Sequence, residues 1–198
     1  MKYWIVSILF IFSSCATMAK KIKGVKSPRL ESAHSVNAYL QRNAIDTTEV
    51  YVFKDLMAFA TASQAKYLSF PNAYFFNADG FAVDYPRTTE HCNAQVNSFI
   101  ADLRNFSSWP SDKNRLMKDF TAFLAPDFQP KQAANISVFI TFTTYAGKLN
   151  HEKAFEWIAL LETAKQNGVS VNYYLVSGDF MRNWNIPESL RKKWGIKN

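Results

Sequence analysis

The stretch FPNAYFFNADGFAVDY, residues 70–85, decides how this chain is read. Two apolar runs, NAYFF and FAVDY, flank Asn77-Ala78-Asp79-Gly80, and the Asp-Gly pair supplies the tight turn that joins two antiparallel strands. The step Phe70-Pro71 sets the first run off from what precedes it. Upstream, Glu49 to Lys54 (EVYVFK) alternates in the manner of a half-buried strand. Asp55 is placed to cap a helix that begins LMAFATAS, because its short carboxylate can accept from the free amides of the first turn. Downstream, Thr88 or Thr89 is placed to cap a helix whose apolar residues, Cys92, Val96, Phe99, Ile100 and Leu103, recur at helical spacing.

The second half repeats the alternation of strands and helices. Asn105 to about Asp112 is polar, carries Pro110 and reads as a connection. Leu116, Phe120, Phe123 and Leu124 predict an amphipathic helix stopped by Pro126. The run ISVFITFTT, from Ile136, is the most apolar strand candidate, which places it centrally in a sheet with both faces covered. Asn150 is expected to cap a long helix with Ala154, Phe155, Ile158 and Leu161 on one face, closed by Gly168 just past its end. VSVNYYLV is a further strand, and Pro187 opens a last short helix. Near the start, Ser27-Pro28 through Leu40 predicts another. Strands separated by helices in both halves imply an α/β sheet flanked by helices, one domain over residues 31–198 with lobes at 31–105 and 111–198.

The order of these elements resembles the thioredoxin fold, with its halves exchanged as in a circular permutation. Residues 49–103, with Phe70-Pro71 before the FFNADG hairpin and then a helix, resemble that fold's C-terminal half, where a cis-proline precedes a strand pair. Residues 111–177 resemble its N-terminal half. The resemblance implies that the loop Thr143-Thr144-Tyr145-Ala146-Gly147-Lys148-Leu149-Asn150 stands where thioredoxins carry a CxxC. Ala146 and Leu149 then occupy the two cysteine positions, and neither is a nucleophile, so the resemblance implies a domain without dithiol exchange. What it leaves is a helix start beside Tyr145 and Lys148, facing Pro71, where an anion or a peptide backbone can be received. These three residues are the candidate binding site. No catalytic residue is assigned.

The first fifteen residues, MKYWIVSILFIFSSC, carry a separate message. Lys2 is a short basic region, Tyr3 to Phe12 an apolar run broken only by Ser7, and Ser13-Ser14-Cys15 a small-residue close. The run is too short to span a bilayer, which takes roughly 20 residues, and suits a signal peptide. It resembles the lipobox of bacterial lipoproteins, with Phe12 where most carry Leu. That resemblance implies cleavage after residue 14, acylation of Cys15 (palmitate among the chains) and a membrane-anchored protein of the cell envelope. The alternative is an ordinary cut after Ala19, with Thr17 and Ala19 as the small residues, giving a soluble secreted product.

The formal charge of +7 suggests a nucleic-acid partner until the basic residues are located. Lys20, Lys21, Lys23, Lys26 and Arg29 all precede the first acidic residue, Glu31. Without them and Lys2, the body holds 17 basic and 16 acidic residues. A nearly neutral body argues against nucleic acid, whose binders carry positive charge on the domain itself. A basic stretch beside a lipid anchor, residues 15–30, is expected either to touch anionic headgroups or to act as a solvated tether. It lacks the acidic run that resembles the surface-export tags of some lipoproteins, so the anchor is expected to face the periplasm. Arg191, Lys192, Lys193 and Lys197 form a second basic cluster, read as the polar end of a helix.

If Cys15 is acylated, Cys92 is the one remaining thiol and no intramolecular disulfide forms. His91 precedes Cys92, but neighbours on a helix point about 100° apart and do not meet as base and nucleophile. Cys92 begins an apolar stripe, which favours packing over chemistry. The three histidines, His34, His91 and His151, lack metal-ligand spacing, so neither a metal nor a cofactor is expected. The sequence-level expectation is an envelope lipoprotein with a binding or scaffolding role toward a protein or peptide. The alternatives are an enzyme or redox helper that uses Cys92, and a soluble secreted protein.

Overall fold

The computed structural model describes residues 23–84, 94–129, 131 and 134–197. Cys15, Cys92 and the Thr88/Thr89 cap lie outside them. The strands are β1 (Leu30–Glu31), β2 (Val50–Phe53), β3 (Asn72–Asn77), β4 (Phe81–Val83), β5 (Ser111–Leu116), β6 (Leu124–Ala125), β7 (Ile136–Phe142), β8 (Val171–Ser177) and β9 (Phe180–Met181). The helices are α1 (Ala33–Arg42), α2 (Leu56–Gln64), α3 (Ala94–Ala101), α4 (Met117–Thr121), α5 (Glu156–Gln166), entered through a wide turn at Asn150–Phe155, and α6 (Glu188–Trp194).

Seven strands form one sheet in the order β5-β4-β3-β7-β8-β2-β6. β7, β8 and β2 run parallel, while β3 lies antiparallel to β7, so the hairpin is joined to the second half of the chain at the middle of the sheet. Both stretches, 31–105 and 111–198, contribute strands to it. The fold is α/β, a mixed sheet flanked by helices, consistent with the thioredoxin-like arrangement expected from the sequence. β1 and β9 form a separate parallel pair.

β7 is central because it carries no charge and the hydroxyl of its buried Thr141 is satisfied within the protein, by the Ser69 carbonyl. Ile136, Val138, Ile140 and Phe142 pack with Trp157 and Leu161 of α5 and Phe99 and Ile100 of α3 on one face. Phe139 packs on the other with Phe76, Phe120 and Tyr174. Trp157, wholly buried, keeps its indole N–H satisfied by donating to Asn97 Oδ1 at 2.6 Å, as a buried tryptophan must.

Several local expectations meet their physical counterparts. Asp55 accepts from the Ala58 amide at 2.7 Å and caps α2. Gly80 adopts φ 79° in the hairpin turn, and Gly168 adopts φ 83° one residue past the α5 cap at Asn167. The Phe70–Pro71 peptide is cis. Others differ. The first helix begins at Ala33, not at Pro28, because Ser32 and Ser35 form a reciprocal capping box there and residues 30–31 pair with β9. The helix expected around Leu116 is cut to Met117–Thr121, since Ser111–Leu116 extends the sheet beyond β4. Its polar sequence, SDKNRL, hides an edge strand. Asn150 does not cap α5: it is wholly buried, and its amide donates to the Tyr39 hydroxyl and the Thr143 carbonyl, both at 2.7 Å.

Candidate functional site

The loop 143–150 leaves the C-terminal end of β7 and turns into the wide entry of α5. Asn72 is paired with Thr141 at that same end, which sets Pro71 one step further along, and the Thr141 hydroxyl donates to the Ser69 carbonyl at 2.6 Å. Tyr145, Lys148 and Pro71 are therefore gathered at one end of the sheet, from two distant parts of the chain. Pro71 is buried and Tyr145 half-buried, while Lys148 is exposed. The Phe70 ring closes on Gly178: a Cβ there would stand 2.1 Å from its Cζ. Ala146 is buried and Leu149 partly so. Neither of these two positions supplies a thiol.

The sequence does not show what lies over this loop. Residues 23–26, from the basic stretch, cross it as an arm that begins in a turn at Lys23–Gly24, where Gly24 has φ 65°. The Lys26 amide donates to the Tyr145 carbonyl at 2.9 Å, and the Lys148 amide donates to the Lys23 carbonyl at 2.8 Å. Lys23 also forms an ion pair with Glu152. The approach is close because Gly147 has no side chain: a Cβ there would come within 2.3 Å of the Gly24 carbonyl oxygen. Gly147 has φ 61°, so glycine answers both a left-handed backbone and a backbone contact. Further along, the Leu30 amide donates to the Lys197 carbonyl (3.1 Å) and the Lys197 amide to the Pro28 carbonyl (2.8 Å). The basic stretch from Lys23 onward is thus built into the domain.

Beneath loop and arm sits a buried polar cluster. Asp179, with no exposed surface, accepts from the Thr144 amide at 3.0 Å, the Thr144 hydroxyl at 2.7 Å and the Ser177 hydroxyl at 2.7 Å. Burial pushes its carboxyl up to about 6, with these hydrogen bonds opposing and the nearby Glu31 charge adding. Glu31, only 2% exposed, accepts from Arg29 and Ser35, each at 2.5 Å, and lies 3.1 Å from the Thr144 hydroxyl. Burial alone would raise Glu31, but the hydrogen bonds from Ser35 and Arg29 and the Arg29 charge outweigh it, and the net direction is down. Thr144 therefore bridges a carboxylate of the arm to one that follows β8. Burial and the Asp179 charge push the Tyr145 phenol up.

Chemically this end of the sheet offers backbone hydrogen-bonding groups, a lysine and sealed carboxylates. Asp179 is closed to solvent and fully engaged, so it holds structure together and does not face a substrate. Among the described residues no group of three or more His, Cys, Asp or Glu is placed to hold a metal ion, and no helix is long and apolar enough to cross a membrane. The sequence named Tyr145, Lys148 and Pro71 but missed Gly147, Asp179 and Glu31. The near partners of the two buried acids, Ser177 and Ser35, are ordinary serines that give no signal, and Thr144, which joins the acids, lies 35 residues from Asp179 and 113 from Glu31.

The opposite end of the sheet is open. A cleft of about 560 Å³ lies between the β3–β4 turn at Asn77–Asp79, residues 103–107 and the turn at 168–170 that leads into β8. Arg104 at its edge donates to the Asn167 carbonyl at 3.1 Å.

Comparison with protein-family models, with characterised proteins and with solved structures finds no match for this chain.

Proposed function

We propose that this chain is an exported bacterial lipoprotein, held in the cell envelope by acyl chains on Cys15, with its domain on the periplasmic side. Its domain, thioredoxin-like and without a redox dithiol, serves as a binding or scaffolding module for an envelope protein or peptide, and does so without catalysis. The observation that carries this reading is the treatment of loop 143–150. It presents no thiol, and it holds the chain's own residues 23–26 through two backbone hydrogen bonds, at Tyr145 and Lys148. Pairing of main-chain groups is a mode of peptide recognition that needs no reacting side chain.

Intact-mass measurement of the mature N-terminus, from membrane and soluble fractions of the producing cell, tests the anchor. The expected product begins at acylated Cys15 and is found in the membrane fraction. A lipid-free product beginning at Lys20 refutes the anchor and leaves a soluble exported protein. Thiol labelling of the native chain tests the absence of chemistry: an inert Cys92 supports the binding reading, and rapid labelling supports a thiol-dependent activity instead.

A further inference from the structure

The sequence holds two separate basic clusters, at residues 20–29 and 191–197, and the fold sets Arg29 of the first beside Lys197 of the second. The Leu30–Lys197 and Lys197–Pro28 backbone hydrogen bonds lay the last described residues alongside the arm, with Arg29 and Lys197 paired in parallel. At the arm's other end, Lys23 and Lys26 are hydrogen-bonded to the loop that carries Lys148. Most acidic groups in this region are already spoken for: Glu152 by Lys23, Glu31 by Arg29, Glu188 by Lys192, and Asp179 by burial. Lys26, Lys148, Lys193 and Lys197 are exposed and make no ion pair among the described residues. Several exposed lysines are therefore gathered around the arm.

An aromatic side chain accompanies it. Trp194, at the end of α6, is 40% exposed. It stacks on Phe180 at 5.7 Å and 20°, and Phe180 is the β9 residue paired with Leu30 of the arm. Tryptophan favours the boundary between headgroups and acyl chains, where its ring is half in hydrocarbon and its N–H stays wet.

We propose that this face, comprising the arm, Lys148, Lys193, Lys197 and Trp194, docks on an anionic lipid bilayer. The orientation rests on the anchor proposed at Cys15. Eight chain steps separate Cys15 from Lys23, a reach of at most about 28 Å, so an acylated Cys15 keeps the arm's docked end close to the membrane plane. Each lysine near an anionic surface strengthens partitioning about fivefold. The arm then lies between loop 143–150 and the bilayer, and the cleft beside Asn77–Asp79, at the other end of the sheet, points away from it.

The test uses the mature chain as the cell produces it, mixed or reconstituted with vesicles of phosphatidylethanolamine and phosphatidylglycerol that carry brominated acyl chains, and with brominated phosphatidylcholine vesicles alone. Bromine quenches indole fluorescence on contact. The expected result is quenching in the anionic vesicles that is absent from Trp194→Phe, and falls at least tenfold in phosphatidylcholine, in high salt, or in a Lys193→Glu/Lys197→Glu chain whose thermal unfolding is unchanged. Absence of Trp194 quenching in anionic vesicles, with the chain shown to be anchored, overturns the docking surface and leaves the anchor standing. A lipid-free chain that still binds anionic vesicles through these residues refutes the anchor and supports the surface. Retention on a soluble polyanion such as heparin without any quenching overturns the lipid assignment in favour of an acidic macromolecule.

Discussion

The two ends of the central sheet are built on opposite plans. Where β7 and β8 finish, the chain is crowded and polar: the arm lies across loop 143–150, Gly147 admits the Gly24 carbonyl, and Thr144 joins Asp179 to Glu31. Where the same strands begin, turns at residues 77–80 and 168–170 stand apart around an open cleft. Two glycines with left-handed backbones measure the difference. A Cβ on Gly147 would strike backbone at 2.3 Å, whereas one on Gly168 would meet nothing within 4 Å. The comparison teaches that the basic stretch, which composition alone presents as a tether, is structural at one end of the molecule.

The largest expected effect comes from breaking the crowded end. Gly147→Ala adds a methyl against a fixed carbonyl, an overpacking worth up to about 3 kcal/mol, and strains a positive φ by roughly 1–2 kcal/mol more. Urea unfolding is expected to show a loss of about 3 kcal/mol or more, with faster tryptic cleavage at Lys23 or Lys26 as the arm lifts. Unchanged cleavage would mean that the arm is not held there.

Next in size is the Asp179 titration. Burial sets its folded pKa at about 6, against an unfolded value of about 3.9. The folded state takes up a proton between these values, so this group's contribution is full below about pH 4 and is lost as pH rises to about 6. At roughly 1.4 kcal/mol per unit, the whole change is on the order of 3 kcal/mol. Asp179→Asn, which cannot ionise, is expected to flatten the stability profile between those pH values, as read by unfolding curves across the range. A parallel profile in the variant would assign the pH dependence to other groups.

At the open end the effects shrink. Gly168→Ala meets only the conformational penalty, about 1–2 kcal/mol, and is expected to leave arm cleavage untouched. Arg104→Ala, which removes an exposed hydrogen bond to the Asn167 carbonyl, is expected to fall within about 0.5 kcal/mol. A cost there equal to that of Gly147→Ala, measured in the same urea series, would erase the contrast between the two ends.

How much of this was legible in the sequence follows from where each signal lies. The hairpin, the Asp55 cap, Gly168 and the central strand were readable because their causes are local: a turn pair, a short carboxylate before an apolar run, a glycine after one, an unbroken apolar stretch. β5 was not, because SDKNRL has an edge strand's polarity and no alternation to betray it. Pro28 looks like a helix start signal, but the Ser32–Ser35 capping box that starts the first helix lies four residues on. At the site, Tyr145, Lys148 and Pro71 came from element order. Gly147 could have been suspected from its place before a helix start. The arm over the loop could not, since its hydrogen bonds are backbone to backbone and carry no side-chain code.

The account turns on the arm being part of the fold at the end of β7. Hydrogen exchange of the mature chain, followed at the Lys26 and Lys148 amides, tests this most directly. The account predicts protection of both, lost together in Gly147→Ala while the β7 amides stay protected. Exchange of residues 23–30 at the rate of a free chain, with β7 protected, would contradict it.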